Sequence, residues 1–437
     1  MHPPGVTARG HSSQLRPVST SCHHPGTYGG AMRVAMLHNR YRSGQPSGEN
    51  NVVDQTADFL RKSGHVVELY AQHSDDIAQM SRKDRALLPV RSVWSLAAER
   101  DLTFRLQSAR PDIVHVHNTF PLFSPSVLRS ASRLDLPIVA TLHNFRLMCA
   151  NGVLQRDGGP CESCVGRIPW RGAVHGCYRD SKVQSLPLVA GIAVHNTLHT
   201  WQRYVTTLIA PSEFVRSRYV AAGFDADQIV VKPHAVAHSG PVREGAGEAV
   251  VFLGRLTEEK GFGDLLKAWD ASLGELVVIG DGPLRAEADE RARQDPSVKV
   301  LGALPWTECM AVLRSARAVV VPARSYETFG LVVIEAFAHG VPVVASRIGA
   351  LAELVDDGQT GVLVAPGDPE ELRKALGLLI EPATSIAFGQ RARQVYLDRF
   401  TPERDLAATE RIYTDAIARH AADKSGPRSP ARGETSS

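Results

Sequence analysis

Short apolar runs alternate with longer mixed segments along most of the chain. "RVAMLH" (33–38), "VVELYA" (66–71), "DIVHVHN" (112–118) and "PIVATLHN" (137–144) are too apolar and too short for surface helices and read as strands. "ENNVVDQTADFLRKSG" (49–64) instead carries its apolar residues at helical spacing and closes on Gly64. The alternation resumes at 249–256, 275–282, 298–304, 318–324 and 342–349. Strands separated by helices form parallel sheets covered on both faces. The expected fold is therefore α/β, with two doubly wound Rossmann-like domains, 33–235 and 249–365, facing each other across a cleft. The join falls at "KPHAVAHSGPVREGAGE" (232–248), which has linker composition.

The ends read differently. Residues 1–31 are rich in His, Pro, Ser, Gly and Thr and contain no apolar run of the kind a secretory signal needs. Ordered structure, and translation itself, is expected to begin at Met32. "DKSGPRSPARGETSS" (423–437) has the composition of a disordered tail. The boundaries follow: an extension 1–31, an N-terminal domain 32–240, a C-terminal domain 241–385, helices 386–422 packing back on the N-terminal domain, and the tail.

Composition narrows the class. A chain of 437 residues with 43% hydrophobic and 22% charged residues can bury two ordinary cores. A formal net charge of +3 is too small to argue for a nucleic-acid partner. No stretch reaches the roughly 18 uninterrupted apolar residues of a membrane span. The nearest, 185–201, is broken by Pro187, His195, Asn196 and His199. A cytoplasmic protein with at most peripheral membrane contact is expected; amphipathic basic helices suited to a membrane-bound partner are not obvious.

In open parallel sheets ligands sit beyond the carboxyl ends of the strands, and the chemistry-bearing residues fall there. "VVIEAFAHG" reads as a helix starting near Gly330 after the strand "AVVVPAR". Its unpaired first amides and positive dipole end suit a phosphate, and Gly330 lets the backbone approach it. Glu335 lies about 7.5 Å further along the helix, roughly the step from a diphosphate to a ribose. Glu327, on the other side of Gly330, is placed to hold sugar hydroxyls. Arg255 and Lys260, in "GRLTEEKG" after another strand, add two cations suited to phosphate oxygens. Taken singly, each of these residues also reads as an ordinary solvated loop or helix position.

His143 ends the strand "PIVATLHN" and reads either as a buried structural histidine or as a residue of the cleft; His117 and Asn118 end another. Cys149, Cys161, Cys164 and Cys177 are spaced C-x11-C-x2-C-x12-C. Such a set holds one structural zinc, two disulfides, or four free thiols. "SDDI" and "VDDGQTG" read as turns, so no Asp-x-Asp pair is placed to hold a metal–diphosphate.

The segments "GRLTEEKGFGDLLKAW", "VVIGDGPLR" and "SYETFGLVVIEAFAHGVPVVASRIGALAELV" resemble the retaining GT-B glycosyltransferases of family 4 over roughly residues 32 to 420. The family's Glu-x7-Glu motif is matched by Glu327 and Glu335. The resemblance implies that Glu327 contacts the donor sugar, Glu335 the ribose, Arg255 and Lys260 the diphosphate, and the amides at Gly330 and Leu331 other donor groups. It also implies that His143 lines the site. Gly48 falls in the loop where the family carries two glycines before a Glu; here one of them is Ser47. The implied activity is retaining transfer of a sugar from a UDP- or GDP-sugar to a hydroxyl of a polysaccharide, glycolipid or natural product. No cofactor is then required beyond the candidate zinc. The rival readings are a GT-B-fold epimerase, a phosphorylase (for which no pyridoxal-phosphate lysine is identifiable), a catalytically silent sugar-nucleotide binder, and a zinc-knuckle nucleic-acid module around the cysteines.

Overall fold

A computed structural model describes residues 30–44, 47–237 and 240–425. The expected extension and tail fall outside the described residues except for 30–31 and 423–425, the latter being helical. The N-terminal domain opens with β1 (Arg33–Arg40), β2 (Val66–His73), β3 (Ile113–Asn118) and β4 (Ile138–Thr141). A two-residue ribbon, β5 (Gln155–Arg156) with β6 (Gly159–Pro160), lies in the cysteine-rich insertion. The sheet is completed by β7 (Thr207–Ala210) and β8 (Ile229–Val231). Its order is β2-β1-β3-β4-β7-β8, all parallel.

The C-terminal domain repeats the plan with β9 (Ala249–Leu253), β10 (Glu275–Ile279), β11 (Val298–Gly302), β12 (Ala316–Val321), β13 (Val343–Ser346) and β14 (Gly361–Val364). The order β11-β10-β9-β12-β13-β14 reverses direction beside β9, leaving a crevice at the strand ends.

Both sheets are buried on both faces, which is why their strands read as apolar runs rather than alternating ones. Along β1, Ala35 and Leu37 join one core while Val34 and Met36 join the other. In β9, Val251 faces one core and Val250 and Phe252 the opposite one.

Two features depart from the expected boundaries. The start of the segment with linker composition is interior: Lys232, His234, Ala235 and Val236 are all buried, and the Val236 carbonyl accepts from Tyr396 Oη at 2.9 Å, whereas residues 240–248 are exposed or half-buried. Its polar residues have partners, which composition does not reveal. The expected pair of returning helices also divides. Helix Pro382–Arg399 stays on the C-terminal domain, with Ala392 and Tyr396 in its core. Only helix Pro402–Ser425 crosses back, placing Ile412, Tyr413 and Ala416 against Val34, Met36 and Val53. Its Glu410 meets His65 at 2.8 Å, and Asp405 forms a buried ion pair with Lys232.

Candidate active site

Two helix N-termini, one from each domain, converge at the crevice. Helix Gly48–Lys62 starts after Ser47, whose Oγ accepts from the Asn50 amide at 3.3 Å. Helix Leu331–Ala338 starts after Gly330, which holds φ at 106° and supplies no side-chain cap. A Cβ on Gly48 would stand 2.8 Å from Leu331 Cδ1, so the two helix starts lie in side-chain contact and a larger residue would require Leu331 to shift. Between them lies a cavity of about 280 Å³ bordered by Gly48, His143, Lys260, Glu327, Gly330 and Leu331. Two positive dipole ends and a lysine on one cavity are suited to an anion.

The domains are held together around it by polar contacts. Thr328 Oγ1 donates to the His143 carbonyl at 3.1 Å, and Ser212 Oγ to the Thr328 carbonyl at 2.9 Å. Tyr326 Oη donates to Glu162 at 2.7 Å. The Phe329 ring meets His234 edge-on at 5.1 Å.

Lys260 and Glu327 form a direct ion pair, so an incoming anion competes with the carboxylate for the ammonium. Arg255 is half exposed, pairs with Glu259 at 3.2 Å, and borders an adjoining cavity of about 140 Å³ shared with His143, Lys260 and Glu327. Glu335 is not among the residues bordering either cavity. It sits one turn beyond Leu331, where Trp306 Nε1 donates to it at 3.3 Å and burial raises its pKa above the ordinary carboxylate range. The structure thus brings together Gly48, His143, Lys260, Glu327, Gly330 and Leu331, sets Arg255 at their edge, and places Glu335 on the next turn.

Behind the cavity lies a set of histidines that sequence reading mostly does not single out. His117 Nδ1 and His143 Nε2 are 2.9 Å apart and share one proton. His143 stacks on His234 with centroids 5.4 Å apart, and His115 lies 4.0 Å from His117. His115 is fixed by Tyr413 Oη at 2.7 Å and Thr141 Oγ1 at 2.8 Å. His38, at the point where the β1–β3 register shifts, bonds Asn50 at 2.8 Å. Burial drives all five toward the neutral form: His38 falls to about 4, His115 and His234 to about 3, and His117 and His143 well below 6.5. The cluster is a set of neutral donors and acceptors, not of cations.

Glu49 also escapes sequence reading. An acid in the first turn of a helix is an ordinary capping choice, and only the fold puts it on the cavity. Its Oε2 accepts from Tyr41 Oη at 3.1 Å and Asn144 Nδ2 at 3.4 Å, while Oε1 is buried without a hydrogen-bond partner, 3.9 Å from His38 Nδ1. Burial pushes its pKa up to about 7. Arg216 braces Glu213 at 2.7 Å and the Ile229 and Ala226 carbonyls, away from the cavity.

The four cysteines of the insertion carry free thiols. Cys149 donates to Asn151 Oδ1 at 2.9 Å, and burial with the neighbouring sulfurs lifts Cys164 to about 11. Among the described residues no three His, Cys, Asp or Glu side chains are grouped to hold a metal ion.

Two parallel-sheet domains closing on an anion-adapted crevice define the GT-B class. Residues 46–239 match the family described as "Glycosyltransferase Family 4", and residues 247–382 that described as "Glycosyl transferases group 1". The glycogen synthase of Mycobacterium tuberculosis is 30% identical over 323 residues, 71% of this chain and 70% of that protein. A phosphatidyl-myo-inositol mannosyltransferase of Mycobacterium leprae is 27% identical over 80% of this chain and 87% of its own. Among solved structures, Anabaena HepE in complex with UDP superposes with a TM-score of 0.60 at 17% identity, covering 88% of this chain and 100% of that one. A sucrose-phosphate synthase from Thermosynechococcus elongatus gives 0.62 at 20% identity, covering 89% and 99%. The chain belongs to the family 4 glycosyltransferases.

Proposed function

We propose that the chain transfers a sugar, with retention of anomeric configuration, from a nucleoside diphosphate sugar to an acceptor hydroxyl. The observation that carries this reading is the convergence of two helix N-termini and Lys260 on one interdomain cavity that also holds Glu327 and His143. The diphosphate would lie between the helix starts, with its charge met by their amides, Lys260 and, at the edge, Arg255. That arrangement supplies leaving-group stabilisation without a divalent ion, and preorganised charge of this kind is usually the largest catalytic contribution.

The sugar would face Glu327, His143 and Glu49. When the diphosphate displaces Glu327 from Lys260, the freed carboxylate is left to accept sugar hydroxyls. Glu335, at its half-buried station beside Trp306, is suited to a ribose reached along the helix. In the reaction the C1–oxygen bond to the diphosphate breaks and a bond to the acceptor oxygen forms on the same face. The acceptor proton passes to the departing phosphate oxygen, so no side chain need bond to the sugar. UDP-glucose bound in a solved HepE complex of the same fold supports such a donor.

A screen of UDP- and GDP-sugars, read by release of nucleotide and by the anomeric proton coupling of the product, tests it. One donor should be consumed only when an acceptor is present, giving an axial linkage from an axial donor. Inversion, or consumption with no acceptor, would contradict the assignment. E335A should chiefly raise the donor KM, by about tenfold for one lost charged hydrogen-bonding group.

A further inference from the structure

The N-terminal domain holds a second, larger cavity of about 690 Å³ that plays no part in the donor site. It runs between helices Arg82–Val93 and Lys182–Thr197 and is bounded by the loops after β1 and β3. Four guanidinium groups border it, those of Arg42, Arg85, Arg146 and Arg179, with no aspartate or glutamate among the described residues of its wall. The rest is mainly apolar, with Ile77, Leu88, Phe120, Val183 and Leu188.

Arg42 faces Asp75 and Arg146 faces Glu49 from outside the groove wall, while the hydrogen bonds and ring contacts given for Arg85 and Arg179 involve no carboxylate. Arg85 donates to the Ala78 carbonyl at 2.8 Å, and Arg146 to the Ala150 carbonyl at 3.3 Å while lying 4.6 Å over the Phe120 ring. Arg179 rests 5.2 Å from the Tyr178 ring. Four cations among apolar side chains match an anion carried on a hydrocarbon.

The groove also leads to the reaction centre. Asn118, Phe120, Arg146 and Leu188 border both the groove and a smaller cavity of about 90 Å³ that contains His117 and His143. At the outer end the two helices expose Val90 (68%), Val183 (76%) and Leu186 (56%). Apolar side chains this exposed on a basic rim fit the surface of a membrane.

We propose that the acceptor is a lipid-anchored sugar whose phosphate or diphosphate sits among these arginines. Its sugar points through the smaller cavity toward His143, and its hydrocarbon chain leaves over Val183 and Leu186. This rests on the transferase reading and names the acceptor class for it.

Calorimetric titration with three probes tests the groove: farnesyl phosphate, farnesol and glucose 1-phosphate. UDP and GDP are titrated in parallel to report the donor cavity separately. Farnesyl phosphate should bind about tenfold or more tighter than either other probe. R85A/R179A and, independently, V183D/L186D should each weaken it by about tenfold while nucleotide affinity stays unchanged. All four positions are solvent-exposed, so the folded state tolerates these changes, and a single L186D variant guards against misfolding of the double one. Equal affinity for glucose 1-phosphate would point to a soluble anion and overturn the proposal, as would farnesyl phosphate binding that neither double variant changes, or no binding. Nucleotide binding that persists in any of those cases leaves the donor assignment standing.

Discussion

At the residue scale, the side chain with the most unusual balance is Glu49. Its buried carboxyl holds a proton to about pH 7, whereas in the unfolded chain it would release it near 4.5. The native state therefore binds more protons between those values, and the contribution of Glu49 to stability is greatest below 4.5 and falls as pH rises to 7. Replacing it with Gln keeps the shape and removes the titration. E49Q should gain stability over the natural chain at pH 8 relative to pH 5, by a few kcal/mol at most, since each pH unit separating the folded and unfolded pKa contributes about 1.4 kcal/mol. Chemical denaturation at the two pH values measures the difference; equal effects at both would show that Glu49 is not buried as described. The same residue shows where sequence reading stops. Glu327 and Glu335 are legible because a motif flanks a glycine at a helix start. Glu49 looks like any acidic first-turn residue until the fold packs Tyr41, His38 and Asn144 around it. His115 and His234 are illegible for a similar reason, since their neighbours lie in distant parts of the chain.

At the scale of elements, the strands with long apolar runs are readable, and β1, β2, β3, β4 and β9 to β13 stand where the pattern puts them. Five strands escape it: β5 and β6 have two residues each, and β7, β8 and β14 have three or four with polar turns close on either side, so no apolar run extends past them as it does past β4 and β13. Pro187, which interrupts the apolar run of 185–201, lies inside helix Lys182–Thr197. The returning helix Pro402–Ser425 shows what pattern cannot reveal, namely which domain an amphipathic face will cover. Its anchor is the Lys232–Asp405 pair, buried at both ends. Removing one partner leaves an uncompensated buried charge, so K232M or D405L should each cost about 3–5 kcal/mol, whereas the double variant K232M/D405L should recover most of that loss. Thermal or urea unfolding of the three variants checks this. Additive single effects would mean that the pair is not coupled and the helix is held by its apolar face alone.

At the scale of the whole molecule, acid is the natural stress. His38, His115, His117, His143, His195 and His234 are all held below their ordinary pKa by burial. The unfolded chain takes up their protons near pH 6.5 while the native state refuses them. Their stabilisation is thus complete above 6.5 and lost as pH falls below it. Glu49, Glu335 and Glu353, whose carboxyl pKa values burial raises, oppose this but are three groups against six. The melting temperature should therefore fall steadily from pH 7 to pH 5. A melting temperature that is flat or rising over that range would mean that the histidines are solvated. The two-domain plan itself is legible, because alternating strand and helix patterns define it twice over. The seam is not: residues 232–237 read as a linker yet form part of the buried wall beside His143, joining the returning helix to the crevice.

The central claim is that a nucleoside diphosphate is gripped between the two helix starts with Lys260 as its cation. Calorimetric titration of UDP and GDP into the natural chain and into K260A tests it most directly. One of the two nucleotides should bind the natural chain, and K260A should weaken that binding by about 10- to 100-fold, the loss of one charge-assisted contact of about 1.5–3 kcal/mol. Unchanged affinity in K260A, or no binding of either nucleotide to the natural chain, would contradict it.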